Sequence, residues 1–363
     1  LGRYETLPLA VPVAAALACL SSAVGPSLRL KTGFEAAPVS AGLQVALGLA
    51  PGSLALQAID HVLAPVLAVQ RELLAALVDR QAHALGRQLR RVERERADYV
   101  HNRPFPEPST LAEVNEEIAR LRCLLRPVVV LEDNPGRLYN AFGRSPDEAV
   151  FLVSTKAGSA KALLQFWGAQ RGRLERELVE AAVTGQPYTA ALLDNPAKRA
   201  LASPLFSMVL AGDFATLQEW MTESGIAAVR EAPSFIALDA GGHDTRLNPA
   251  PTGALQHADA WEGLVRRLFR CRLAGSRQVA TLTPAVRDHL VGVLNGLAAR
   301  RPQVTETEAV EAGRLLRQAL TLMVLLHACG PQPDRPVSMD TAHKAGLLTA
   351  WLHGHQLALK RKA

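Results

Sequence analysis

The sequence predicts an α/β fold in which a largely parallel sheet is flanked by helices and followed by an all-α C-terminal bundle. Three observations predict the architecture. Near-continuous apolar runs alternate with helical stretches as far as about Asp239, the pattern of strands buried on both faces of a parallel sheet. Beyond about Asp259 only amphipathic stretches follow, joined by short polar breaks such as PQPDRP. Hydrophobic residues make up 48% of the 363 residues but aromatics only 5%, so the core rests on Ala, Leu and Val, which favours close-packed helices over a β-sandwich.

The elements follow in order. LPLAVPVAAALACLSSAV, Leu7 to Val24, is borderline in length for a membrane span and carries two prolines, so it predicts a buried N-terminal helix and no membrane contact. SLRLKTG fits a short strand and GLQVALGLA a buried one. From Leu54 to about Tyr99, apolar residues recur at helical spacing with only Pro65 and Gly86 as breakers, which predicts one long helix or two in series. Its second half, GRQLRRVERERADYV, mixes charges and reads as a solvated face with Glu–Arg pairs one turn apart.

NRPFPEPST is a proline-rich break, after which Ser109 or Thr110 can cap the helix LAEVNEEIARLRCLL. RPVVVLED, AVFLVSTKAG, PLFSMVLAGD and PSFIALDAGG read as strands, with a turn and short helix at NPGRLYNAFG and longer helices at SAKALLQFW and FATLQEWMTESG. GGHDTRLNPAPTG is an exposed loop or linker. Helices are then expected at Asp259 to Arg272, Thr283 to Arg300, Thr305 to Cys329 and Ser338 to Lys362, with Pro284 in a first turn behind Thr283. Two units result: a core over 1–250 with a long helical insertion at about 54–125, and a separate helical bundle over 259–363.

Lys and Arg total 40 against 34 Asp and Glu, a net charge of +6 carried mostly by Arg. Coding bias and selection for phosphate contacts both account for that excess; if phosphate is the partner, the candidates are Arg87, Arg90, Arg91, Arg94 and Arg96 with the tail Lys360, Arg361 and Lys362. Such a surface fits DNA or RNA, held electrostatically and without base reading. Cys19, Cys123, Cys271 and Cys329 are widely separated, which excludes a zinc-type spacing and suits small buried thiols in a reducing cytoplasm. No GxSxG occurs, so no nucleophile elbow is expected. His353 and His355 stand two apart, poor metal geometry, and read as part of a solvated helix; His327 reads as a hydrogen-bonded buried histidine.

The order of pieces resembles a widespread bacterial family of primase-helicase-like P-loop NTPases carried by phages, prophages and plasmids. In that family an apolar helix precedes a strand and a PPGSGKS-type loop, a later strand reads approximately LLLVSDEAG, and the end is helical. Here the loop reads APGSLAL: Pro51, Gly52 and Ser53 match, while Leu54, Ala55 and Leu56 stand where Gly, Lys and Ser would be. The later strand reads VFLVSTKAG, with Thr155 and Lys156 in place of the acidic pair. Gly212 and Asp213 replace a Gln-Pro pair, and Val229 replaces an Arg, with Arg230 beside it. The tail LLRQALTLMVLLHACG keeps the family's pattern.

A P-loop cradles phosphate with backbone N–H groups, a lysine for charge and a hydroxyl for Mg²⁺. The resemblance therefore implies a retained scaffold without cofactor, and a non-catalytic accessory of mobile-element replication or defence that binds nucleic acid or a protein partner. Two alternatives stand beside it. One is a helicase-like ATPase using ATP with Mg²⁺ through a rebuilt site of Lys156, Asp133 and Arg230, with the Lys156 strand expected next to the loop strand. The other is a purely structural assembly subunit, and oligomers are compatible with any of the three.

Overall fold

The computed structural model describes residues 8–35, 37–49, 54–75, 79–102, 108–125, 128–132, 138–156, 158–169, 173–184, 186–188, 201–222, 235–239, 254–275, 277–300 and 305–360. The elements are α1 (Ala10–Val24), β1 (Leu28–Lys31), β2 (Gln44–Gly48), α2 (Leu54–Ala75), α3 (Asp79–Asn102), α4 (Pro108–Leu125), β3 (Val130–Glu132), α5 (Leu138–Arg144), β4 (Ala149–Ser154) and α6 (Ser159–Gly168). There follow α7 (Arg173–Thr184), β5 (Leu205–Gly212), α8 (Phe214–Thr222), β6 (Phe235–Asp239), α9 (Ala254–Leu273), β7 (Gln278–Thr281), α10 (Pro284–Arg300), α11 (Glu306–Cys329) and α12 (Met339–Lys360).

A five-stranded sheet in the order β3-β4-β5-β2-β6 forms the centre, and every one of its pairings is parallel. Side chains alternate across it, as the two-residue period of a strand dictates. Val45, Leu47, Phe151, Val153, Val209, Ala211, Ile236 and Leu238 enter one core with α1, α2, α9, α11 and α12. Ala46, Val150, Leu152, Phe206, Met208, Leu210, Phe235 and Ala237 enter a second core with α5, α6, α7 and α8. Strands buried on both faces explain why the sequence shows unbroken apolar runs here. Both sheet edges are covered: α12 packs on β6, and Gln70 Oε1 of α2 accepts from the N–H groups of Val129 (2.8 Å) and Val130 (3.0 Å) beside β3.

The N-terminal apolar run forms α1, which is the middle of the first core. It is long and apolar enough to cross a membrane, yet 83% of the Ala10–Ser27 window is buried inside the protein. Ser21 finds its partner within the core, its hydroxyl hydrogen-bonding that of Ser207 at 2.6 Å, whereas the buried Ser22 hydroxyl has no partner among the described residues.

Several expectations need correction. The C-terminal part is not all-helical: β7 pairs in parallel with β1, and Leu282 bridges to Val337. Nor does it pack as a separate bundle, because α9, α11 and α12 share the first core with α1 and the sheet. Gln278–Thr281 was missed because a four-residue, mostly exposed strand carries almost no apolar signal. The long helical region takes the second of its two expected forms, two helices in series, α2 and α3. Ser109 and Thr110 fall inside the first turn of α4, which opens at Pro108. The helix α7 was not predicted. The final helix is not a solvated one; α12 packs against α11 and β6.

In the second core Trp167 meets Phe206 and Trp220 edge-on, with ring centroids 6.3 and 5.8 Å apart. Trp220 donates its indole N–H to the Ala160 carbonyl at 3.2 Å. Trp167 Nε1 is buried with no hydrogen-bond partner among the described residues. Trp167→Phe therefore loses no hydrogen bond and removes an unsatisfied donor. The smaller ring leaves a void in the aromatic cluster, so urea denaturation will show a cost of about 1–3 kcal/mol, less than the about 3–5 kcal/mol of Trp167→Ala.

Candidate functional site

The parallel strands end on one edge of the sheet. Gly48 of β2 is level there with Gly212 of β5 and Asp239 of β6. From β2 the chain enters α2 in the first core, and from β5 it enters α8 in the second. The crevice between these two strand ends is thus a switch point, where open α/β sheets place their ligands. The question left by the sequence is what chemistry that crevice holds.

Its floor is apolar and acidic. A Cβ on Gly48 would lie 2.9 Å from Leu217 Cδ2 and 3.3 Å from Asp239 Oδ1, so a leucine and a carboxylate crowd the root of the loop. Ala55, at the position of the family's lysine, is 1% exposed and belongs to the same apolar cluster as α1. Leu56, where the Mg²⁺ hydroxyl would stand, packs against that cluster. The first turn of α2 is therefore dry on its inner side. The described residues do not fit Mg-ATP: none of these groups supplies positive charge, and the Asp239 carboxylate, a metal-ligand type without the lysine and hydroxyl that would accompany it, adds negative charge beside the loop.

The remaining candidates are distributed differently. Asp213 caps α8, its Oδ1 accepting the Thr216 N–H at 2.7 Å. Hydrogen bonds from Thr216 hold its carboxyl below the usual carboxylate range, with the Lys161 charge adding to them. Lys156 is exposed, and its carbonyl accepts the Ser159 hydroxyl at 2.6 Å in the turn into α6. The expected adjacency of its strand to the loop strand is wrong, because β5 lies between β4 and β2. The two strand ends are therefore two spacings, roughly 10 Å, apart. Pro51, Gly52, Ser53, Asp133 and Arg230 lie outside the described residues.

Compared with known proteins, the chain matches no family model, no curated protein and no solved structure. Function must be argued from the molecule itself.

The basic surface is better organised than the crevice. α4 packs on α5 as well as on α3 and buries Leu111, Ile118 and Leu121. α3 packs along α4, and none of its described side chains belongs to either core. Arg87, Arg90, Arg91 and Arg94 are exposed, and with Glu95 and Asp98 they line a shallow hollow of about 310 Å³. At 3.6 residues per turn the four arginines fall within an arc of roughly 100°. Arg91 pairs with Glu95 at 2.8 Å, both exposed. Arg87, Arg90 and Arg94 have no ion pair among the described residues.

Arg96 does not share this face. It lies roughly 180° from Arg87 around the helix, and its Nε donates to Asn115 Oδ1 of α4 at 2.8 Å. The grouping of all five arginines needed only the helical angle to be corrected. Lys360 closes α12, while Arg361 and Lys362 lie outside the described residues.

Other groups resolve into structure. His327 Nε2 hydrogen-bonds the Arg335 carbonyl at 2.9 Å, as expected of a buried histidine. His353 Nδ1 lies 3.6 Å from Glu311 Oε1, and His355 stacks edge-on against Trp351 at 4.9 Å. Cys19 is buried, and burial alone pushes its thiol well above the ordinary range. Burial raises the Cys329 thiol to about 11, with the Arg267 charge opposing it. Cys271 departs from expectation in being exposed.

Proposed function

We propose that this protein is a non-catalytic scaffold built on a P-loop-derived sheet, an accessory of mobile-element replication or defence that binds nucleic acid through α3. The observation that carries the first half is Ala55, 1% exposed in the apolar core at the position where a nucleotide-binding chain needs its lysine. Leu217 and Asp239 at the root of the loop support it. The exposed arginine face of α3 supports the second half.

The rebuilt-ATPase alternative loses ground on geometry. Lys156 is rooted two strands from the loop and faces solvent. A charged contact to phosphate contributes about 1.5–3 kcal/mol of net binding, and two or three such losses weaken affinity by several factors of ten. Titration calorimetry with Mg-ATP is expected to give no binding below millimolar concentration, and phosphate release no faster than background. Micromolar affinity abolished by Lys156→Ala would overturn this reading in favour of a rebuilt active site.

A further inference from the structure

We infer that the arginine face of α3 grips the phosphate backbone of a nucleic-acid duplex without reading its sequence. This rests on the nucleic-acid reading above and adds the class of partner. The first ground is shape. Arg87, Arg90, Arg91 and Arg94 span about 10 Å along one helix at 1.5 Å per residue, and α4 backs that helix. A straight, backed row of guanidinium groups matches a stiff backbone whose charges recur every ~3.4 Å of duplex axis.

The second ground is what the face lacks. Proteins that hold single strands stack the bases on aromatic rings set among their cations. No Phe, Tyr or Trp lies on the arginine arc; Tyr99, the one such residue of α3, is half-buried and about 120° away from Arg87. His83 and His101 extend the face only beyond its two ends. Adenine reading calls for Asn or Gln. Gln88 is turned off the arc and donates to Glu117 Oε1 at 3.3 Å.

The third ground is polarity along the helix. Cations occupy the arc from Arg87 to Arg94, and Glu95 and Asp98 follow. A phosphate backbone therefore crosses α3 near Arg87–Arg94 instead of running its full length. Three arginines without ion pairs, or four once Arg91 releases Glu95, neutralise three or four phosphates.

The test is fluorescence anisotropy with 20-base-pair DNA duplexes of two unrelated sequences and with the matching single strands, over 50–200 mM salt. Duplex binding is expected with a log–log salt slope between about −2.7 and −3.6, a loss of about 40- to 150-fold across that range. Both duplexes should bind alike and more tightly than the single strands. The triple variant Arg87→Ala, Arg90→Ala, Arg94→Ala should reduce the steepness of that slope by about 2.7. Its unfolding midpoint should not change, and the corresponding triple Lys variant should restore the slope.

Tighter binding of single strands, or a tenfold preference between duplexes, would overturn the duplex inference while leaving the nucleic-acid reading intact. Duplex binding untouched by the triple variant would overturn the assignment to α3. No binding of either form at 50 mM salt would remove the nucleic-acid reading itself, and capture by anionic phospholipid vesicles alone would replace it with a lipid surface.

Discussion

Arg272→Met will destabilise the protein by about 3–5 kcal/mol, the cost of breaking a buried ion pair by removing one partner. Arg272 ends α9 with its side chain 1% exposed, and it ties together parts of the chain far apart in sequence. Its Nε and Nη2 donate to the two Asp147 oxygens at 2.6 and 2.8 Å. Nη1 donates to the Ser22 carbonyl of α1 and Nη2 to the Ala149 carbonyl of β4, both at 2.7 Å. Phe269 lies 5.6 Å away, face toward the guanidinium. Gly25, at φ 50°, leaves the room: a Cβ there would meet Arg272 Cδ and Nε at 2.7 Å. Methionine fills the space but leaves Asp147 without its counter-charge and the Ser22 carbonyl without this donor, while the Ala149 carbonyl keeps the Ser145 hydroxyl at 2.9 Å. Arg272→Lys restores charge without the planar fork and should recover only part of the loss. Urea midpoints of the three proteins check this order.

The same pair sets an acid limit. Burial pushes the Asp147 carboxyl up, but the Arg272 charge and hydrogen bonds from Arg272, Ser145 and the Ala149 N–H outweigh it, and the net result lies below the usual carboxylate range. Unfolded Asp titrates near ~3.9. A depressed folded value means the unfolded chain takes up the proton first, so this stabilisation is complete above about pH 4 and fades as pH falls through the folded value. The wild-type urea midpoint should drop over that acid range, and Asp147→Asn should remove this contribution to the drop.

Much of the sheet was legible because burial on both faces leaves an unambiguous signal. The runs around Val45, Phe151, Phe206 and Phe235 are strands for that reason. β7 was illegible because its stability comes from pairing with β1, some 250 residues earlier, which local sequence does not record. The joining of the C-terminal helices to α1 in one core was hidden for the same reason: amphipathic stripes say that a helix buries a face, not against what. At the crevice, the absence of a lysine at position 55 and of a hydroxyl at position 56 could be read directly. The burial of Ala55 and the approach of Asp239 to Gly48 required coordinates. On α3, residue types were readable, and helical angles, which separate Arg96 from its neighbours, settle the face.

Introducing the glycine, lysine and serine of a P-loop at the start of α2 will cost stability and yield no nucleotide binding. In the triple variant Leu54→Gly, Ala55→Lys, Leu56→Ser, the new lysine enters the apolar cluster around α1, where Ala55 is 1% exposed. The positive end of the α2 dipole opposes it as well. Buried lysines titrate near ~5–6, against ~10.4 in the unfolded chain. A group with a lowered folded value binds its proton more tightly when unfolded, so stability rises with pH between the two values. At pH 7 the penalty from lysine alone is about 4–5 kcal/mol, and it shrinks as pH approaches ~10. Urea midpoints of the variant and wild type should therefore converge between pH 7 and pH 10. Millimolar Mg-ATP should leave both midpoints in place, because Asp239 and Leu217 still crowd the root of the loop. A variant whose midpoint is independent of pH and rises with Mg-ATP would mean that the lysine reaches phosphate, and that the crevice is a nucleotide site lacking only its side chains.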